Sequence, residues 1–260
     1  MATYRYNAQA IGANNGTSWT DAYQTFAAAV SAASTNGDVI LVHKTSQETL
    51  AANTTYTFLA NISVICVDKD SSDALAEMGA GGWIGHTSSP YSITLAGART
   101  MRIHGMTLRE HGSQQININT TDGGHFELDG CRLWYSSTTV SADLAIGNST
   151  NQFTRLQDTV IKVDRSSNNG CKLQLGGQVE FYNVTADCAG APTGSFFNEV
   201  AASASQVSLM AVDCDFSALG TNPLVGNSAR SPGDFRFVRC KMPANWVLLA
   251  TQTLANKSSY

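Results

Sequence analysis

The chain has 260 residues, a formal net charge of −4 and only 14% charged residues, where an average domain carries about 25%. With no basic stripe to neutralise phosphates, nucleic acid is excluded as a partner. No apolar run is long enough to span a bilayer and Met1–Asn7 holds no apolar leader core, so no membrane partner is expected and the protein reads as made in a cytoplasm without export.

The first predicted element is a helix. Asn14-Asn15-Gly16-Thr17-Ser18-Trp19-Thr20-Asp21 leads into Ala22, Phe26, Ala29, Val30 and Ala33 at helical spacing, with Ser18 or Thr20 as N-cap and Gly37 as a left-handed stop. This predicts about four turns over residues 20–35. A buried strand follows at Val39–Val42, with further strands expected at Tyr56–Phe58, Ile62–Val67 and Trp83–Ile84. Gly79, Gly81 and Gly82 make Asp68–Gly82 a loop.

From Met101 onward one pattern recurs six times: MRIHGMTL, FELDGCRL, TRLQDTVI, VEFYNVTA, VSLMAVDC and FRFVRCKM, starting at Met101, Phe126, Thr154, Val179, Val207 and Phe235. The spacings of 25, 28, 25, 28 and 28 residues lie in the range of solenoids, where each repeat buries its face against its neighbours. The inward set is the first, third, sixth and eighth positions, broken clearly only by Thr154. A spacing of two is strand alternation, whereas the spacing of three between the third and sixth positions requires a bend. The fifth position is Gly105, Gly130, Asp158, Asn183, Ala211 and Arg239, so four of six copies place a corner-turning residue where the period demands a corner. Upstream of the copies lie further strand segments: Ile93 and Leu95, Ile116 and Ile118, Leu144 and Ile146, Leu173 and Leu175, Phe196–Val200, and Leu224 with Val225. Each coil therefore has three strands. A final strand is expected at Trp246–Ala250, before a tail.

Three short strands per coil resemble the right-handed parallel β-helix of the pectate lyase-like family. The front end, Gly16-Thr17-Ser18-Trp19, then a helix ending in Asn36-Gly37-Asp38, then a Val/Ile strand, is similar to the N-terminal cap of many bacterial and phage parallel β-helix proteins. The resemblance covers nearly the whole chain and identifies a scaffold, not an activity. It implies an all-β, right-handed, three-sheet parallel β-helix with an N-terminal capping α-helix. The chain would be one domain: a cap over 1–38, coils over 39–250 and a C-terminal tail over 251–260. A β-sandwich is the competing architecture, but it has no reason to repeat an internal corner in phase.

Six cysteines could suggest disulfides or a metal site, yet Cys131 and Cys240 occupy the sixth position and Cys214 the eighth. With Cys66, Cys171 and Cys188 they are expected to be reduced thiols acting as small apolar core residues. The outward second position runs Arg102, Glu127, Arg155, Glu180, Ser208 and Arg236, either a ladder of alternating sign or a groove for an anionic polysaccharide. Asp187, Asp213 and Asp215 could approach one another to hold a cation or divide acid and base roles, although no Lys or Arg is expected to complete the group on the same sheet. His104 and Asp129, at the fourth position of adjacent coils, are expected to pair on the surface. Trp134 faces outward next to Tyr135, free to stack on a sugar or a subunit unless the loop Ser136–Asp143 covers it.

The family's lyases bind Ca²⁺ with clustered aspartates and use an arginine base, and its polygalacturonases cluster aspartates beside Gly-His-Gly. Neither pattern is present here. No catalytic, cofactor-binding or metal-binding residue is assigned, and no cofactor is expected. Two functions remain from the resemblance. One is a non-enzymatic bacteriophage virion protein, foremost a capsid decoration or cement protein and secondarily a tail component. Its partners would be phage capsid or tail proteins, and homo-oligomers, trimers among them, are common in phage examples. The other is a protein that binds or degrades surface polysaccharide, such as a tailspike depolymerase.

Overall fold

The structure, a computed structural model, describes residues 1–68, 74–75, 81–88, 91–111, 115–120, 124–135, 143–146, 152–164, 172–175, 177–188, 197–199, 208–219 and 234–244. These form three sheets, parallel throughout except for one short strand. The first sheet runs β1 (Thr3–Tyr6), β2 (Val39–His43), β5 (Ile62–Asp68), β9 (Thr100–His104), β12 (His125–Asp129), β15 (Phe153–Gln157), β18 (Gln178–Tyr182), β21 (Ser208–Val212), β22 (Asp234–Val238), with β6 (Ala74–Leu75) antiparallel to β5. The second runs β3 (Gln47–Thr49), β7 (Trp83–Gly85), β10 (Thr107–Glu110), β13 (Arg132–Tyr135), β16 (Val160–Val163), β19 (Thr185–Cys188). The third runs β4 (Thr54–Thr57), β8 (Ile93–Gly97), β11 (Gln115–Thr120), β14 (Asp143–Ile146), β17 (Lys172–Leu175), β20 (Phe197–Glu199). Consecutive strands of each coil enter different sheets, and each sheet repeats from coil to coil. The protein is a parallel β-helix solenoid, and the parallel pairing of every described strand but β6 rules out the sandwich.

The register corrects one copy of the repeat. Val179 pairs with Leu209, and Leu209 with Phe235, so the fifth copy begins at Leu209 and not Val207. The fifth position then reads Gly105, Gly130, Asp158, Asn183, Asp213 and Arg239, and every one has a positive φ, between 48° and 74°. The apolar pattern admits either start, because Leu209 and Ala211 follow Val207 at the same spacing of two. The corner decides: Asp tolerates the left-handed region better than Ala. At each of the first five corners the amide N–H of the fifth residue donates to the fourth-position carbonyl of the next coil, as Gly105 does to Asp129 at 2.9 Å.

Inward positions make one continuous core, reaching from Tyr6 to Leu219. Met101, Phe126, Val179 and Leu209 fill the first column, and Ile103, Leu128, Leu156, Phe181 and Ala211 the third, all buried. Thr154, the exception in the first column, is buried with a partner: Gln152 Nε2 donates to its hydroxyl at 2.9 Å and to the Ile118 carbonyl at 3.1 Å. Replacing Gln152 by leucine orphans both acceptors and should destabilise by about 1–3 kcal/mol in urea unfolding. Adding Thr154→Val to that variant removes one orphan and should recover part of the loss.

The helix, α1 (Phe26–Ala32), is half as long as predicted. Residues 14–23 are drawn instead into a loop against β1, where Gly16 O accepts from Arg5 N–H at 3.0 Å and Asn7 N–H donates to Tyr23 O at 2.9 Å. The N-cap is therefore Thr25, whose hydroxyl accepts from Ala28 N–H at 3.3 Å. The Glu48 carboxylate adds a second acceptor there, taking the Phe26 N–H and the Tyr6 hydroxyl, each at 2.7 Å. Gly37 is left-handed at φ 88°, but it lies beyond the helix end and donates to Asn61 O at 2.7 Å.

Residues 68–82 are not wholly loop, because β6 lies within them. Gly81 and Gly82 pack where the coil leaves no room for side chains. Gly82 N–H donates to the Cys66 thiol at 3.1 Å, and Thr107 N–H donates to Gly82 O at 3.0 Å. Gly79, Cys171, Leu224–Val225, Trp246–Ala250 and residues 251–260 lie outside the described residues.

His86 is buried beside Tyr91, its Nδ1 2.9 Å from Leu50 O and its Nε2 without a partner among the described residues. Burial depresses its pKa, against the hydrogen bond to Leu50. A base so depressed binds fewer protons folded than unfolded. Its contribution is complete above about pH 6.5 and is lost as pH falls through the folded value. The melting midpoint of the wild type should therefore fall more steeply between about pH 7 and pH 5 than that of His86→Asn.

Candidate functional site

The sixth position, just inside the corner, is more than apolar filler. Cys131 Sγ lies 3.4 Å from both Ile103 O and Asp129 O. Thr159 Oγ1 lies 3.3 Å from Leu128 O and 2.8 Å from Gln157 O, and Cys240 Sγ lies 3.4 Å from both Ala211 O and Val238 O. Cys214, which the corrected register moves from the eighth position to the sixth, approaches Phe181 O at 3.8 Å and Val212 O at 3.3 Å. Each side chain offers its proton to carbonyls at the bend, so these cysteines are weak donors as well as core residues. Thr159 in the same column is the sequence signal for this role. Burial pushes the Cys131 thiol up to about 12 and the Cys66 thiol up to about 11, so both stay protonated.

The second-position column forms the alternating ladder in four coils. Arg102 Nε lies 2.6 Å from Glu127 Oε2, Arg155 lies 3.8 Å from Glu127 and 2.9 Å from Glu180. The bond to Glu180 raises the pKa of Arg155, whose guanidinium also lies 5.5 Å from the Phe153 ring and 5.6 Å from the Tyr182 ring. His125 joins from the neighbouring column, its Nε2 3.1 Å from Glu127 Oε1. The register places Met210 and not Ser208 opposite Glu180, so an apolar side chain separates Arg236 from the ladder. Arg236 turns to Asp234 at 2.7 Å. His104 Nδ1 meets Asp129 Oδ2 at 3.0 Å, as the shared fourth position predicts.

Asp187, Asp213 and Asp215 fall in three different columns. Asp213 is the corner residue opposite Arg239, Asp215 bridges Thr185 and Lys241, and Asp187 pairs with Lys162 in the ladder between β16 and β19. Basic partners are present after all. Arg239 grips Asp213 with two bonds at 2.7 and 2.6 Å, and Lys241 Nζ lies 3.1 Å from Asp215. Arg239 holds the Asp213 carboxyl below its usual range, while the Ser217 hydroxyl, then its amide, and Lys241 do so for Asp215. Both carboxylates are ionised and neutralised, an arrangement unlike a shared-proton pair.

Trp134 does point outward, but its neighbours in register are Arg109 and Lys162. The Arg109 guanidinium lies 4.2 Å and Lys162 Nζ 5.6 Å from the Trp134 ring centroid. Asp164 Oδ2 accepts the indole N–H at 2.5 Å, and Lys162 reaches Asp164 Oδ1 at 3.5 Å. Cations from the coils on both sides thus occupy the ring that a sugar would need. The loop expected over it, 136–142, lies outside the described residues.

Other outward contacts run the same way: Asn183 Nδ2 donates to Asp158 Oδ1 at 2.6 Å, and Asn117 Nδ2 to Thr94 Oγ1 at 3.3 Å. Among the described residues no three His, Cys, Asp or Glu side chains gather to hold a metal. No described helix is long and apolar enough to cross a membrane. Compared with protein-family models, with curated proteins and with solved structures, the chain gives no match.

Proposed function

We propose that the protein is a non-enzymatic structural component of a bacteriophage virion, foremost a capsid decoration or cement protein and secondarily part of a tail. One observation supports this reading most: outward polar side chains pair along the solenoid axis. Arg102–Glu127–Arg155–Glu180, His104–Asp129, Arg109–Trp134–Lys162, Asp158–Asn183 and Asp213–Arg239 each link a coil to the next. Exposed pairs contribute about 0–1 kcal/mol each, so their effect is on register and stiffness more than on total stability. A rod of this kind suits a spacer or clamp.

The coils wind right-handed, the hand of nearly all parallel crossover connections. The helix α1 caps the open apolar end, burying Phe26, Ala29 and Val30, with the Phe26 ring 5.5 Å from Tyr6 and 4.9 Å from Tyr56. In keeping with phage examples, the protein is a homo-oligomer, with a trimer among the states such examples adopt. It is made in the host cytoplasm and carried in the virion. The polysaccharide reading depends on the three aspartates acting together, and their separate columns and basic partners disfavour it.

Purified capsids of the encoding phage should retain the protein through sedimentation. Failure to co-sediment with capsids or tails would remove this reading. Release of new reducing ends or unsaturated products from host surface polysaccharide would favour the alternative.

A further inference from the structure

Val212 pairs with Val238 and Asp215 with Lys241, a constant offset that sets Cys214 directly opposite Cys240 on the neighbouring coil. Backbone bonds from Asp213 N–H to Val238 O at 3.0 Å and from Lys241 N–H to Cys214 O at 2.8 Å lock that register on both sides. Residues in register on adjacent parallel strands lie about 4.8 Å apart, inside the Cα separation of about 4.4–6.8 Å that a disulfide spans. Both residues hold the sixth position of their coils, and both sulfurs lie against carbonyls of the same bend, Cys214 Sγ 3.3 Å from Val212 O and Cys240 Sγ 3.4 Å from Ala211 O. The other described cysteines lack such a partner: Cys131 stands opposite Thr159 through the paired β12 and β15 corners, and Cys188 opposite Val163.

We propose that Cys214 and Cys240 are a modification site, a dithiol that closes to a disulfide and staples the coil of β22 to the coil of β21. The two residues have different roles. Cys214 is 1% exposed, whereas Cys240 is half-buried and reachable from solvent. The neighbouring Cys214 thiol lowers the Cys240 pKa, which favours the thiolate at the accessible sulfur. With a small-molecule disulfide as oxidant, the Cys240 thiolate attacks one oxidant sulfur and releases the other half as a thiolate. Cys214 then loses its proton and attacks the Cys240 sulfur, expelling the second half. The protein loses two hydrogens and two electrons, and one oxidant disulfide becomes two thiols.

Closing the bond links positions 26 residues apart, so it restricts the unfolded chain and opposes fraying of the β22 coil. The sequence alone hides the pair, because reading the fifth copy from Val207 puts Cys214 at the eighth position and Cys240 at the sixth.

The test treats the whole protein with oxidised glutathione, blocks free thiols with N-ethylmaleimide and maps non-reduced peptides by mass spectrometry. A Cys214–Cys240 linked peptide is expected, with an intact mass lower by two hydrogens before blocking and a melting midpoint raised by several degrees. Reduction should reverse both. Cys214→Ser and Cys240→Ser, which keep a hydroxyl donor as Thr159 does, should abolish the rise. Blocking of both thiols after oxidation would overturn the proposal, as would Cys240 ending as a stable glutathione adduct or in a bond to another cysteine or a second chain. The wild-type map decides the matter even if a serine variant does not fold.

Discussion

Replacing Gly81 by alanine is expected to destabilise the protein by about 3–5 kcal/mol, a large share of a domain's usual stability of about 5–15 kcal/mol. An added Cβ would collide with the carbonyl oxygen of Gly105, and would sit 2.9 Å from that carbonyl carbon and 3.2 Å from Cys66 Sγ. Neither obstacle can swing aside. The Gly105 carbonyl belongs to a left-handed corner at φ 74°, whose amide is tied to Asp129 O at 2.9 Å. Relief requires a backbone shift in two coils. Gly37→Ala is the comparison: Gly37 is left-handed at φ 88°, so alanine meets backbone strain there, but its added Cβ meets only the Met1 side chain, no closer than 3.7 Å. Urea unfolding should give Gly81→Ala much the larger loss, and equal midpoints for the two variants would contradict the close approach of these coils.

The second large effect is expected at Phe126. Its side chain is fully buried in the first inward column, with the Phe58 ring 6.4 Å away at its edge, and truncation to alanine should cost about 3–5 kcal/mol. Phe153 occupies the neighbouring coil but on the outward face, where it is half-buried and lies against Arg155. Phe153→Ala should cost under about 1 kcal/mol. Denaturant midpoints of the two variants therefore check which face of the first sheet is inside, and a costlier Phe153→Ala would invert the assignment.

Much of the scaffold is legible in the sequence because two periods coincide, strand alternation and a corner in phase with it. Gly105, Gly130, Asp158 and Asn183 mark their corners by residue type. Arg239 carries no such mark: an arginine at φ 51° is held by its paired bonds to Asp213, a partner one coil away that local propensity does not reveal. The slip at Val207 has a different origin. Apolar spacing is degenerate there, and only the rule that corners take Asp, Asn or Gly selects Leu209. That slip also brought Asp187 and Asp215 into one apparent column and concealed Lys241 as the partner of Asp215. The short helix shows tertiary contacts overriding propensity, since Tyr23 bonds to Arg5 and Asn7 beside β1 in place of extending α1. The strand β3, Gln47–Thr49, is short and polar, and only pairing with β7 makes it a strand.

Of the site, the His104–Asp129 pair and the Arg102–Glu180 ladder follow from position alone. The capture of Trp134 between Arg109 and Lys162 does not, because it requires knowing that the ninth position of three successive coils shares one column. Sequence presents an exposed tryptophan. Stacking turns it into a link in the rod.

Mass spectrometry of purified particles of the phage that the proposed role requires tests that role most directly. The proposal predicts the protein in washed virions, at copy numbers comparable to the major capsid protein for a decoration protein or at a few copies for a tail component. Its absence from virions, with the protein recovered only from the lysate, would contradict the proposal.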